Sequence, residues 1–114
     1  MSTMHGNFNP MLNLKGNDNV DARGWLIWDD DDESAEITVK ISQNGVTHTA
    51  DPITRVNHTH PRDPEDTWKV DVPANGTPFL LGSASGSAKA VVTTKSGAPK
   101  TYDYYWASPP LTLT

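Results

Sequence analysis

The stretch that decides the fold, residues 35–46, reads Ala35-Glu36-Ile37-Thr38-Val39-Lys40-Ile41-Ser42-Gln43-Asn44-Gly45-Val46. Ile37, Val39 and Ile41 occupy every second position with polar residues between them, which is the period of a strand with one buried face. Asn44-Gly45 then supplies the two residues with positive φ that a two-residue type I′ turn requires. The stretch therefore predicts a β-hairpin.

The turn also predicts the register of this hairpin. Gln43 pairs with Val46, so His48 lies opposite Ile41, and Ala50 lies opposite Val39. His48 then points to the apolar side, where a neutral, hydrogen-bonded core histidine is the commoner outcome.

The rest of the chain repeats short segments rich in Val, Ile, Thr, Tyr and Trp, separated by Gly, Pro, Asn and Asp. This pattern is typical of an antiparallel all-β domain. Helix is disfavoured, since 9 prolines and 8 glycines interrupt a chain with no helical periodicity. We expect one domain over residues 1–114 with seven or eight strands, and Trp68, in the alternating segment Thr67–Val72, as the anchor of its core.

Two hairpins with one buried face each need a second layer, so a two-sheet sandwich is expected, with barrel closure as the alternative. We expect a strand at Met11 to Leu14 and an edge strand at Leu111 to Thr114. In the second hairpin, pairing Lys95 with Lys100 places Val91 opposite Tyr104 and Lys89 opposite Trp106.

Three stretches, 35–45, 67–73 and 87–94, have the strand and turn pattern of a β-sandwich. Together they resemble the immunoglobulin-like domains of bacterial surface proteins, and the resemblance covers about half of the chain. It implies an immunoglobulin-like antiparallel β-sandwich that supports, spaces or binds, and it implies no specific activity. The paired cysteines of antibody domains are missing, because the chain has no cysteine.

Composition excludes several classes of function. The chain carries 14 acidic and 9 basic residues, and the bases are scattered, so no nucleic-acid partner is expected. Its longest apolar run is about four residues against the ~18 of a membrane span, so no span is expected. The first residues show no signal peptide, which leaves a cytoplasmic protein or a trimmed secreted or surface domain. Without cysteine there is no thiol catalysis.

The acidic run Asp29-Asp30-Asp31-Asp32-Glu33 accounts for the whole net charge of −5. One interpretation is a solvated turn that keeps a strand edge soluble. The other is a calcium site, in which a bent loop brings Asp29, Asp31 and Glu33 around one ion. The run lacks the glycine of an EF-hand loop, where it has Ser34.

A second candidate metal site is formed by His58 and His60, whose spacing places two imidazoles on the same face of a strand. Such a pair can hold zinc or copper, with His48 beside it if the two segments are neighbours.

The third candidate is an aromatic strip formed by Tyr102, Tyr104 and Trp106 on one face of a strand. Flat aromatic strips bind sugar rings or proline-rich peptides, and they equally complete the core of a sandwich.

Together these features predict a non-catalytic interaction or structural module whose partner is a protein or a carbohydrate. The alternatives are a carbohydrate-binding module that uses the aromatic strip, and a metal-dependent enzyme. No G-x-S-x-G nucleophile turn occurs, and we expect no catalysis. Edge strands, Leu111 to Thr114 in particular, offer a route to oligomers.

Overall fold

A computed structural model describes residues 5–14, 19–29, 31–57, 66–95 and 100–114. This part of the chain is all-β, as predicted, and contains no helix, hence none long and apolar enough to cross a membrane. It forms ten strands: β1 His5–Phe8, β2 Met11–Leu14, β3 Val20–Ile27, β4 Asp32–Gln43, β5 Val46–Thr49, β6 Ile53–Val56, β7 Asp66–Val72, β8 Gly82–Thr94, β9 Thr101–Ala107 and β10 Leu111–Leu113.

The count exceeds the predicted seven or eight because two long strands are each interrupted by proline. Asn9-Pro10 separates β1 from β2, and both pair antiparallel with the same edge of β3. Pro109-Pro110 separates β9 from β10, and both pair antiparallel with the same edge of β8. Proline has no N–H to donate to the ladder, so the strand breaks at each of these positions.

The strands form two groups. In the first, β3 is central, with β7 on one edge and β1 and β2 on the other. In the second, β4 and β8 pair along most of their lengths, β5 and β6 pair with the other edge of β4, and β9 pairs with β8. The two groups are joined by β10, which pairs antiparallel with β8 and parallel with β2.

The prediction that Leu111 to Thr114 forms an edge strand is therefore wrong. β10 is paired on both sides, and Leu111 and Leu113 are each 1% exposed. On the side that faces β2, the Thr112 N–H donates a hydrogen bond to the carbonyl of Pro10, just before β2, at 2.9 Å. With its ladder groups used on both edges, this strand offers no route to oligomers.

The first hairpin has the predicted register. Asn44 and Gly45 have φ of 51° and 78°, as a type I′ turn requires. Gln43 pairs with Val46, and Ile41 pairs with His48.

The predicted register of the second hairpin is wrong by one residue. Tyr104 lies opposite Ala90, not Val91, and Trp106 lies opposite Ala88, while Lys89 lies opposite Tyr105. The observed register keeps small apolar residues opposite the aromatic strip, whereas the predicted one would have carried the Lys89 ammonium to the buried side.

Trp68 is 2% exposed and anchors the core, as predicted. Phe8, Gly24 and Trp68 form one row across β1, β3 and β7. Because Gly24 has no side chain, the Phe8 and Trp68 rings meet edge to face above it, with centroids 4.9 Å apart and planes at 85°.

Candidate functional site

The aromatic strip lies on the inner face of β9, toward β1. Trp106 is 8% exposed, and Tyr104 stacks on it with centroids 5.6 Å apart and planes at 28°. A Cβ at Gly6 of β1 would lie 2.6 Å from the Trp106 ring, so the indole covers this glycine. Tyr104 also meets His5 edge to face at 5.9 Å. The rings of Trp106 and Tyr104 are thus largely occupied by protein, and their use as a ligand platform stays a prediction.

Tyr102, the third member of the strip, binds a carboxylate that the sequence did not single out. Its hydroxyl donates to Asp32 Oδ1 at 2.8 Å, and the Asp29 N–H donates to Asp32 Oδ2 at 3.0 Å. Asp32 is 1% exposed, although it belongs to the run of five acids. The solvated-turn interpretation is therefore wrong for this residue.

A β-bulge explains why Asp32 points inward. The period-2 pattern of β4 runs back from Ile37 to Ala35 on the buried face and would place Glu33 there next. The pairing with β8 shifts between Asp32 and Ser34, so two residues intervene before the buried face is reached again. Glu33 is exposed as a result, and Asp32 takes the buried position.

Burial raises the pKa of the Asp32 carboxyl above its ordinary value, while the Tyr102 hydrogen bond and the Asp29 N–H act against this shift. A raised pKa in the folded state means that folding favours the neutral acid. The stabilisation is complete below the unfolded pKa of this group and is lost as pH rises through the folded pKa.

We expect Asp32→Asn to remove this contribution to the pH dependence of stability. An amide keeps both hydrogen bonds by donating from Nδ2 to the Tyr102 oxygen and accepting the Asp29 N–H on Oδ1. Urea unfolding from pH 3 to pH 8 measures the effect, with the variant gaining stability relative to wild type as pH rises. Glu36→Gln, at an exposed position of the same strand, is the matched control. A difference between wild type and Asp32→Asn that does not change with pH would contradict the expectation.

The backbone of Asp32 and Glu33 is also held in place, through hydrogen bonds from Asn57. Asn57 donates from Nδ2 to the Asp32 carbonyl at 2.7 Å and from its N–H to the Glu33 carbonyl at 2.8 Å. Asp29 and Asp31 are half-buried. No group of three His, Asp or Glu side chains suited to a metal ion occurs among the described residues, which do not include Asp30. The calcium site at Asp29, Asp31 and Glu33 stays a prediction.

The candidate zinc or copper ligands His58 and His60 lie outside the described residues. His48 is 4% exposed, its Nδ1 lies 3.2 Å from the Pro73 carbonyl oxygen, and its ring packs on Phe79 at 4.1 Å. It is a hydrogen-bonded core histidine, the commoner outcome for its predicted position.

The outer face of the second strand group carries a groove that sequence reasoning missed. Its volume is about 430 Å³. Two cross-strand rows of β4, β8 and β9 form it, one made of Thr38, Lys89 and Tyr105 and the other of Lys40, Ser87 and Ala107. Ser87 and Ala107 in the second row are small, and the larger side chains of Lys89 and Tyr105 in the first row lie beside them. The sequence could have indicated this groove through Tyr105, the one aromatic residue of β9 that alternation places on the face away from the aromatic strip.

Tyr105 and two lysines define the chemistry of this groove. Tyr105 is 64% exposed, so a ring face is open to a ligand. The Lys89 Nζ lies 5.7 Å from the Tyr105 centroid and 3.7 Å from Asp103 Oδ2. Lys40 is exposed and forms no ion pair with a described residue. The groove thus offers an aromatic surface, ammonium donors, and hydroxyls from Thr38 and Ser87.

A second depression of about 410 Å³ lies on the outer face of the first strand group, where Asn9, Arg23, Trp25, Thr67 and Lys69 contribute. Trp25 is half-buried there. This surface belongs to the other group of strands, so it does not extend the groove at Tyr105.

No protein-family model matches this sequence, and a search of curated proteins gives no significant match.

Proposed function

We propose that this chain is a non-catalytic binding module with an immunoglobulin-like two-sheet fold, and that the groove at Tyr105 is its ligand surface. The observation that carries the proposal is an aromatic ring 64% exposed beside Lys89 in a depression of about 430 Å³. Exposed rings next to convergent polar groups are the usual composition of ligand sites.

The strand pairing supports an immunoglobulin-like arrangement. In constant-type domains, strands A, B and E share one sheet, and strands C, F and G share the other. Here β1, β3 and β7 pair in one group, and β4, β8 and β9 pair in the other. The described strands join the two groups on one side only, through β10, which favours a sandwich over a closed barrel. Kinship with bacterial surface domains is part of the same proposal.

Carbohydrate is the ligand class that the groove favours. A tyrosine face stacks on the apolar face of a sugar ring, and hydroxyl and ammonium groups at its border bind sugar oxygens. Lys40 adds a positive charge without a carboxylate partner among the described residues. A sugar that carries a carboxylate, as uronic acids do, would supply that partner. We therefore propose the sugar-binding site at Tyr105, in place of the aromatic strip formed by Tyr102, Tyr104 and Trp106.

We expect Tyr105→Ala to weaken binding of a polyuronate oligosaccharide at least tenfold, equivalent to about 1.4 kcal/mol, because the stacking surface is lost. Lys40→Ala is expected to weaken the polyuronate and to leave a neutral glucan oligosaccharide unchanged. Isothermal titration calorimetry of both ligands against each variant measures this.

Tyr104→Phe is the matched control, since it keeps the inner ring and changes only its hydroxyl. Loss of binding in Trp106→Ala with full binding in Tyr105→Ala would return the site to the inner strip. The carbohydrate proposal fails if neither ligand binds the wild type. Measurable hydrolysis of these ligands, abolished by a His58 substitution, would instead favour the metal-dependent enzyme.

A further inference from the structure

β7 is an edge strand in the part of the chain that the structure describes. All seven of its residues, Asp66–Val72, pair with β3 in an unbroken register. None of the described strands pairs with its other edge. β7 contains no proline and no bulge, two of the features that commonly prevent a sheet edge from accepting another strand.

The outward side chains of β3 and β7 are arranged in rows of like charge. Arg23 lies directly opposite Lys69, and Asp21 lies directly opposite Asp71. Along β3 the charges alternate, and Arg23 binds Asp21 through two contacts of 3.0 and 3.2 Å. Lys69 forms no ion pair with a described residue. At the edge of the sheet the first row ends on Lys69 and the second on Asp71, so a neighbouring strand with the opposite charge at each of these two positions would be favoured.

We propose that this edge binds a second copy of the same chain, with the two β7 strands antiparallel about Val70. In that register Lys69 of each copy lies opposite Asp71 of the other. The row Arg23–Lys69 then continues into the Asp71–Asp21 row of the second copy, and the two-fold axis repeats the arrangement in the opposite direction. This proposal does not depend on the proposed function, because the groove at Tyr105 lies on the other strand group.

The charges select this register among the antiparallel ones. An axis at Lys69 places that lysine opposite its own copy, and an axis at Asp71 does the same for the aspartate. Axes between residues place outward side chains opposite inward ones and so break both faces. The axis at Val70 also sets buried Trp68 opposite Val72, which continues the apolar face from one copy into the next.

Sedimentation velocity from micromolar to about 1 mM chain tests the proposal. Wild type is expected to show a monomer–dimer equilibrium. Lys69→Glu alone and Asp71→Lys alone are each expected to weaken it at least tenfold, because each places like charges opposite one another twice. An equimolar mixture of the two variants is expected to dimerise again, since the introduced glutamate then faces the introduced lysine.

Lys40→Glu, on the other strand group, is the matched control and should leave dimerisation unchanged. Circular dichroism of each variant checks that it is folded, and recovery in the mixture requires folded chains in any case. A wild type that is monomeric throughout, a dimer insensitive to both variants, or a mixture that stays monomeric overturns the proposal.

Introduced cysteines test the register directly, because the natural chain has none. Under oxidation, a mixture of Lys69→Cys and Asp71→Cys chains is expected to form a disulfide-linked heterodimer. Each chain alone places its cysteines two residues out of register, too far apart for a disulfide. Equal cross-linking in the separate samples would overturn the Val70 axis.

Discussion

Trp68→Ala is expected to lower the free energy of unfolding by about 3–5 kcal/mol, the range for removing a buried aromatic side chain. Trp68 is 2% exposed, and its indole meets Phe8 edge to face while covering Gly24. The β3 position beneath the ring is Gly24, which has no side chain to fill the space that the indole leaves. Urea unfolding followed by circular dichroism measures the change.

Two substitutions serve as controls for this result. Trp68→Phe should cost less, since a ring remains and the indole Nε1 has no hydrogen-bond partner among the described residues. Trp25→Ala, at a half-buried outward position of β3, should also cost less. If Trp25→Ala destabilises the domain as much as Trp68→Ala, Trp68 is not the anchor of the core.

Gly24→Ala is expected to be the second most damaging change, with a loss of about 1–3 kcal/mol or more. A Cβ at this position overlaps the Asn7 carbonyl oxygen and the Trp68 ring. The carbonyl belongs to the backbone of β1, so it yields only if that strand moves away from β3. The loss of stability is measured by the same unfolding experiment, and amide hydrogen exchange should report faster exchange in β1.

A double-mutant cycle separates the two overlaps. Gly24→Ala in a Trp68→Phe background should cost less than in wild type, because the smaller ring relieves one of them. Part of the cost should remain, since the Asn7 carbonyl is unchanged. Full additivity of the two substitutions would show that Trp68 does not restrict this position.

The sequence predicted the parts of the fold that depend on neighbouring residues. The alternation of Ile37, Val39 and Ile41 and the Asn44-Gly45 turn determine the first hairpin, because strand period and turn geometry are local properties. The burial of Trp68 followed from the same alternation in β7. The position of His48 followed from the register of the turn.

Longer-range pairing was not predictable in the same way. The segment Ser96-Gly97-Ala98-Pro99 lacks the Asn-Gly signature of a two-residue turn, so the sequence does not determine the register of the second hairpin, and the prediction was wrong by one residue. β10 reads as an edge strand by composition, yet it pairs on both sides, since a parallel neighbour distant in sequence leaves no local signal.

The candidate site shows the same difference between what local sequence predicts and what long-range packing decides. The sequence identified Tyr102, Tyr104 and Trp106 as sharing one face, because alternation alone places them there. Only the tertiary structure decided that this face turns toward β1, where protein covers most of Trp106, and that Tyr105 is left exposed. Which face of a strand meets solvent depends on what packs against it.

By itself, therefore, the sequence determined an all-β chain, its first hairpin and the members of each strand face, because these follow from period and turn chemistry. The tertiary structure alone decided the neighbours of β10, the burial of Asp32 behind a β-bulge and the exposure of Tyr105. Each of these depends on contacts between strands far apart in the chain, and such contacts form only when the two groups of strands have assembled.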